Sequence, residues 1–220
     1  ALISQPGFIQ PASRRNEVEN FVRQGLRDFS ISRVNLPWGI PVPGHEGHTF
    51  YVWFDALLGY ITALLAEADA PDLDTALARG WPASVHVIGK DILRFHAVYW
   101  PAFLMAMFRQ DGDDLQGELP ERIRRQLPET ILAHGWWLIG DTKMSKSLGN
   151  IVRPKELLHF GSDAARFFLV RDMQIGFDRA FTFEAFMDRL NADLANGLGN
   201  LAARSISMLQ RYRGGAVPTP

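Results

Sequence analysis

The chain has 220 residues, 47% of them hydrophobic, with 23 basic against 24 acidic side chains and a net charge of −1. That is enough apolar material for a real core and a length suited to one domain plus part of another, while the near-neutral balance excludes a strongly basic nucleic-acid coat and leaves room only for a local RNA-binding patch. The absence of cysteine excludes disulfides and thiolate metal sites, and with no apolar run long enough for a bilayer and no signal peptide at the start, the expected location is the cytoplasm.

The opening Ala1-Leu2-Ile3-Ser4 has neither an initiator methionine nor an entry strand and reads as the interior of something longer. Over residues 11–29, Val18, Phe21, Val22 and Leu26 recur at helical spacing, with Ser13 as a cap and Gly25 near the end, which predicts a surface helix with one buried face. Residues 29–34 alternate as a strand does, and the proline- and glycine-rich residues 36–44 predict a fixed loop. A second helix is expected from near Trp53 to about Ala68. Residues 84–89 predict a short apolar strand that runs directly into an apolar helix over residues 91–108, whose acidic first residue favours a helix N-terminus. Strand, turn and helix in that order are the unit of parallel α/β architecture.

Residues 109–129 are polar and expected to face solvent, with a short helix around residues 121–126. Residues 130–139 read as one buried strand, followed by short helices near 154–160 and 162–171. From Phe183 to about Tyr212 the pattern is one long helix, broken only mildly by Gly197 and Gly199. The change from alternating α/β to all-helix puts a domain boundary near residues 173–179.

Between the buried strand and Pro154 lies Asp141-Thr142-Lys143-Met144-Ser145-Lys146-Ser147-Leu148-Gly149-Asn150, a polar loop with two lysines three residues apart. At the exit of a strand in an open α/β sheet, where ligands bind, two flexible ammonium groups suit a polyphosphate whose charge grows during reaction.

Two helical stripes suggest a pocket. Trp53, Ala56, Leu57 and Tyr60 share one helix face, and Ile92, His96 and Trp100 share another. Aromatic walls with a few polar tips suit a flexible apolar side chain, and sulfur packs well against rings; methionine, leucine and an aromatic ligand all remain open on these residues. Asp91, following Gly89 at a strand end, is placed to accept hydrogen bonds from a ribose, with Gly89 permitting close approach of the nucleotide.

The full Lys-Met-Ser-Lys-Ser string over residues 143–147 resembles the second signature of class I aminoacyl-tRNA synthetases. Tyr51-Val52-Trp53-Phe54-Asp55-Ala56-Leu57-Leu58-Gly59-Tyr60, His86-Val87-Ile88-Gly89-Lys90-Asp91-Ile92 with Phe95-His96 and Trp100-Pro101, and Asn191-Ala192-Asp193 narrow the resemblance to the bacterial methionyl-tRNA synthetase family. It covers nearly the whole chain, with residues 109–129 longer than that family usually shows. The lysine loop alone leaves the leucine, isoleucine, valine and cysteine enzymes open. Pairing Trp-Phe-Asp-Ala with Gly-Lys-Asp-Ile-x-x-Phe-His selects methionine.

The resemblance implies an α/β fold: the C-terminal half of a class I synthetase Rossmann-type parallel sheet, followed by the start of an α-helical bundle that binds the anticodon. Residues 1–50 would be the end of a connective region and the return into the catalytic domain, 51–175 the second half of the catalytic domain, and 176–220 the start of the helical domain. It assigns Trp53, Ala56, Leu57, Tyr60, Ile92, His96 and Trp100 to a methionine pocket and Gly89 and Asp91 to the ATP ribose. His134 would lie beside the adenine, Lys143 and Lys146 would act on the phosphates, Arg33 would lie near the catalytic floor, and Asn200 and Arg204 would read the anticodon. The implied partners are methionine, ATP with Mg2+, and tRNA(Met), with no membrane and no zinc ligands in this chain. The family's histidine-rich phosphate motif is absent, since no His-x-Gly-His occurs, and any zinc knuckle would precede Ala1. The chain alone is therefore expected to hold half a site and to be inactive. The alternatives are a synthetase for another apolar amino acid, or a non-catalytic tRNA-binding module derived from one.

Overall fold

His86 and Ile88 are buried while Val85 and Val87 are exposed, and this two-residue period makes one strand of the parallel sheet that anchors the first half of the chain. The computed structural model describes residues 2–69, 71–115 and 117–217. It divides into two compact units, Ala1–His134 and Gly135–Pro220.

The first unit runs β1 (Ile9–Gln10), α1 (Ala12–Arg23), β2 (Ser32–Val34), β3 (His48–Phe50), α2 (Val52–Thr62), α3 (Leu73–Ala78), β4 (Val85–Gly89), α4 (Trp100–Phe108), α5 (Glu121–Arg124) and β5 (Thr130–His134). Strands β1, β5 and β4 form a parallel sheet in that order, and β2 and β3 form an antiparallel pair. One core, around Ile9, Val18, Ile88, Leu93 and Ile131, seats helices on the sheet; another gathers Leu57, Ile61, Trp81, Trp100 and Leu104.

Several expectations change here. The opening segment does contain a strand, because Ile9 and Gln10 pair with Ile131 and Leu132; two residues are too few for alternation to reveal. Helix α1 starts directly after Pro11, with no side-chain cap, so Ser13 lies inside its first turn. Helix α2 ends at Thr62 and continues as a 3-10 turn only to Leu65. The helix expected over residues 91–108 is continuous but not uniform, with a 3-10 turn at Lys90–Ile92 and a π-helical stretch at Phe95–Tyr99 before α4. Pro101 has no N–H to offer the carbonyl one turn back, and the wider winding just before it accommodates that loss. The short helix near residue 121 stops at Arg124, and its stretch is only partly solvent-facing, since Ile123 and Leu127 are buried.

The second unit runs β6 (Trp137–Ile139), β7 (Thr142–Lys143), α6 (Pro154–Leu157), α7 (Ser162–Asp172), β8 (Arg179–Ala180), α8 (Phe183–Arg189) and α9 (Asn200–Arg213). Its sheet has the order β7-β6-β8, antiparallel on one side of β6 and parallel on the other. The single strand expected over residues 130–139 is therefore two strands. A Cβ at Gly135 would lie 2.0 Å from the Phe177 carbonyl oxygen, an approach only glycine permits, and the Trp136 N–H donates to Asp178 Oδ1 at 2.8 Å instead of to a ladder partner. The core here comprises Leu157, Ala165, Phe168, Phe181 and Phe186. From Phe183 to Arg213 the chain is helical throughout, π-helical over Leu190–Gly199, and α9 buries no residue. Among the described residues no helix is long and apolar enough to cross a membrane.

Candidate functional site

Of the two predicted stripes, Trp53, Leu57, Tyr60, His96 and Trp100 come together, while Ala56 is exposed and the Ile92 side chain packs into the other core. Ile92 takes part through its backbone. Its carbonyl oxygen lies 3.0 Å from His96 Nδ1, and the Tyr60 hydroxyl lies 2.8 Å from His96 Nε2. A carbonyl can only accept, so Nδ1 carries the proton. Burial keeps the His96 pKa below its ordinary value even though the Ile92 bond pulls the other way, so the ring is neutral and Nε2 accepts from Tyr60. Burial also raises the Tyr60 pKa, which keeps the phenol protonated as that donor.

Three neighbours were not assigned to the pocket from sequence. Phe95 stacks on Trp53 with centroids 4.1 Å apart and planes 11° from parallel, and Trp81 meets Trp100 edge-on at 5.7 Å. The His86 ring lies 4.4 Å from Tyr60 and 5.7 Å from His96; burial, and then the proximity of His96, lower its pKa to about 4. Among the described residues its Nε2 has no hydrogen-bond partner. The available signal was strand period, because His86 stands two residues from Ile88 and so shares its buried face. A cavity of about 250 Å³ opens beside Tyr60, Trp81 and His86. Stacked rings around a neutral imidazole and a phenol suit an apolar side chain carrying a polarizable atom.

Gly89 and His134 end β4 and β5 in register. A Cβ at Gly89 would stand 2.7 Å from Asp91 Oδ1 and 4.0 Å from His134 Cε1. The three residues assigned to a nucleotide are thus adjacent at the carboxyl ends of parallel strands, and a side chain at Gly89 would fill the space between them.

In the second unit, β7 folds back on β6, pairing Lys143 with Leu138, so Lys143 belongs to a strand and Lys146 to the loop beyond it. The Lys143 ammonium sits 3.8 Å over the Trp136 ring, a contact that stabilises by about 0.5–1 kcal/mol at an accessible site. Asn150 closes the loop: the Ser145 N–H donates to its Oδ1 at 2.8 Å, and its Nδ2 donates to the Lys143 carbonyl at 3.3 Å. Gly149, at φ +68°, turns the chain so that its N–H reaches the Lys146 carbonyl at 3.3 Å. Met144 packs into the core while Lys146 is exposed.

Asn200 donates to the Asn196 carbonyl at 2.8 Å, and both it and Arg204 are exposed, one turn apart on α9. Arg33 donates to the Ser30 and Ser32 carbonyls at 2.9 and 2.8 Å and lies over the Tyr51 ring. Among the described residues no group of three or more histidine, aspartate or glutamate side chains is arranged to hold a metal ion.

Comparison with known proteins adds the following. Residues 3–206 match the family profile described as tRNA synthetases class I (M). The chain is 51% identical over 215 residues to a methionine–tRNA ligase of Synechocystis and 50% identical over 218 residues to one of Brucella suis, alignments that take in 97% and 99% of this chain. It spans only 37% and 38% of those curated relatives' length. Among solved structures it is similar to Mycobacterium tuberculosis methionyl-tRNA synthetase in complex with methionyl-adenylate, with a TM-score of 0.76 and 47% identity, covering 98% of this chain and 39% of that one. The free state of that enzyme matches at a TM-score of 0.71 and 44% identity, covering 98% of this chain and 38% of that one.

Proposed function

The chain belongs to the class I tRNA synthetase (M) family, and from that premise we propose that it supplies the second half of the catalytic site and the first anticodon-binding helix of a methionine–tRNA ligase. The observation that carries this reading is the continuity between two clusters in the first unit. Asp91, beside Gly89 and His134 at the strand ends, begins the same helical run on which His96 meets Tyr60. A nucleotide and an amino-acid side chain bound to those clusters would be neighbours.

In this reading the methionine side chain lies against Trp53, Leu57, Tyr60, His96 and Trp100, with Ala56 on the same face of α2 and Ile92 taking part through its carbonyl. Asp91 accepts from the ribose hydroxyls, Gly89 leaves room for the sugar, and His134 flanks the adenine. The methionine carboxylate attacks the ATP α-phosphate, the bond to the β-phosphate breaks, and pyrophosphate leaves; a hydroxyl at the tRNA 3′ end then attacks the acyl carbon and AMP leaves. Neither step needs a side-chain nucleophile. Lys143 and Lys146 supply positive charge where negative charge accumulates, and Mg2+ travels with the ATP phosphates. Asn200 and Arg204, an amide and a guanidinium one turn apart, can read the edges of unstacked anticodon bases. Residues 1–50 are read as the end of the connective region and the return into the catalytic domain, 51–175 as the second half of the catalytic domain and 176–220 as the start of the anticodon-binding part of a cytoplasmic enzyme.

The test is methionine-dependent exchange of pyrophosphate into ATP by the Synechocystis ligase carrying residues 1–220 in place of its matching segment. Exchange driven by methionine is expected, and leucine outperforming methionine would overturn the reading. The 220 residues by themselves are expected to give no exchange, because the histidine phosphate motif is not among them.

A further inference from the structure

Asp172 ends α7 with its side chain only 1% exposed, and two guanidiniums converge on it. Arg179 Nε donates to Oδ2 at 2.8 Å and Arg189 Nε to Oδ1 at 2.9 Å. Arg189 closes α8, and Arg179 opens β8. Strand β8 has just two residues, too few to hold its own place, yet the segment around it grips β6 closely. The Trp136 N–H donates to Asp178 at 2.8 Å, the Arg179 N–H donates to the Trp136 carbonyl at 2.9 Å, and the Phe181 N–H donates to the Leu138 carbonyl at 2.8 Å. Trp136 is the ring under the Lys143 ammonium, and Leu138 is the strand partner of Lys143.

We propose that Asp172 is a positioning residue for Lys143, clamping β8 through Arg179 and thereby fixing the Trp136 ring and the strand on which Lys143 sits. A buried carboxylate shared by two guanidiniums is geometrically exacting. Without it, two like charges face each other; Arg189 keeps Asp193, whose Oδ2 lies 3.6 Å from its Nη1, but Arg179 loses the carboxylate that anchors it, and β8 is released at the end that braces Trp136. The link runs through Arg179; Arg189 secures Asp172 from the other side. The bearing on catalysis rests on the reading of Lys143 as a phosphate-binding residue.

The test uses NMR of the 220-residue chain. The Lys143 ε-methylene protons should be shielded by the Trp136 ring current, a shift assigned by its loss in Trp136→Leu. Asp172→Asn is expected to abolish at least half of that shielding, with β4 and β5 amide signals unmoved, and Asp172→Glu, which keeps the charge, to restore most of it. Full shielding in a folded Asp172→Asn chain would overturn the proposal. Should Asp172→Asn unfold the second unit, Arg179→Gln decides: it must lose the shielding, while Arg189→Gln retains more of it, and equal effects from the two arginines would reduce Asp172 to a general stabiliser. In the grafted ligase, Asp172→Asn should lower the exchange rate at least tenfold with the KM for methionine unchanged. A ligase inactive with Asp172 intact would count against the functional reading and leave the NMR result standing.

Discussion

Tyr60 donates to His96 Nε2 at 2.8 Å while His96 spends its one ring proton on the Ile92 carbonyl. The phenol oxygen, having given its proton to the ring, keeps its own accepting capacity. Tyr60→Phe removes the donor and leaves a buried acceptor unmatched, at a cost of about 1–3 kcal/mol. In the grafted ligase the KM for methionine should rise by about tenfold or more, with a smaller change in kcat. Steady-state exchange kinetics check this, and an unchanged KM would show that the pair only braces the fold.

Acid should weaken the first unit earlier than its carboxylates require. His86 titrates at about 4 in the folded chain against an ordinary 6.5, so the unfolded chain takes up a proton across that interval that the folded chain refuses. Stability is whole above pH 6.5 and falls as the pH drops towards 4, by up to roughly 2–3 kcal/mol, with His96 adding in the same direction. Urea midpoints at pH 7 and pH 5 measure the slope. His86→Phe should flatten it.

Gly135→Ala tests the close packing against Phe177. The new methyl would fall 2.0 Å from a backbone carbonyl oxygen, which cannot rotate away as a side chain could. A loss of about 3 kcal/mol or more from the second unit is expected in thermal unfolding. A loss below 1 kcal/mol would mean that this segment yields easily.

Lys146→Ala in the grafted ligase should slow adenylate formation by at least about tenfold while leaving methionine affinity nearly intact, because its charge acts on the leaving phosphates and not on the amino acid. Single-turnover rates set beside equilibrium binding separate the two effects. Equal losses in both would assign Lys146 to ground-state binding.

Arg204→Ala should weaken binding of an anticodon stem-loop by about 1–3 kcal/mol. Its melting temperature should match the parent chain, since α9 buries nothing that the change could disturb. A drop in melting temperature without a change in affinity would mark Arg204 as structural.

Much of the candidate site's grouping is legible in the sequence, for reasons that differ by residue. Helical spacing alone put Trp53, Leu57 and Tyr60 on one face and His96 and Trp100 on another, and glycine followed by an acid at a strand end marked Gly89 and Asp91. What stayed hidden depends on contacts distant in sequence. The break at Gly135 is imposed by Phe177, 42 residues later. The two-residue period with Ile88 marks His86 for the buried face, but the Tyr60 ring packed against it comes from another element and leaves no local trace. The pairing of Ile9 with Ile131 is a matter of topology, which periodicity cannot supply.

The two lysines of the polar loop are unequal in freedom. Lys143 lies in a strand with its ammonium already resting on a ring, whereas Lys146 stands exposed beyond the Asn150 closure. Immobilising a long side chain opposes binding by up to about 2 kcal/mol, so most of that entropic resistance falls on Lys146. On the proposed function, one cation is in place before a phosphate arrives and the other finds it: a fixed charge that sets the address and a roaming one that sets the timing.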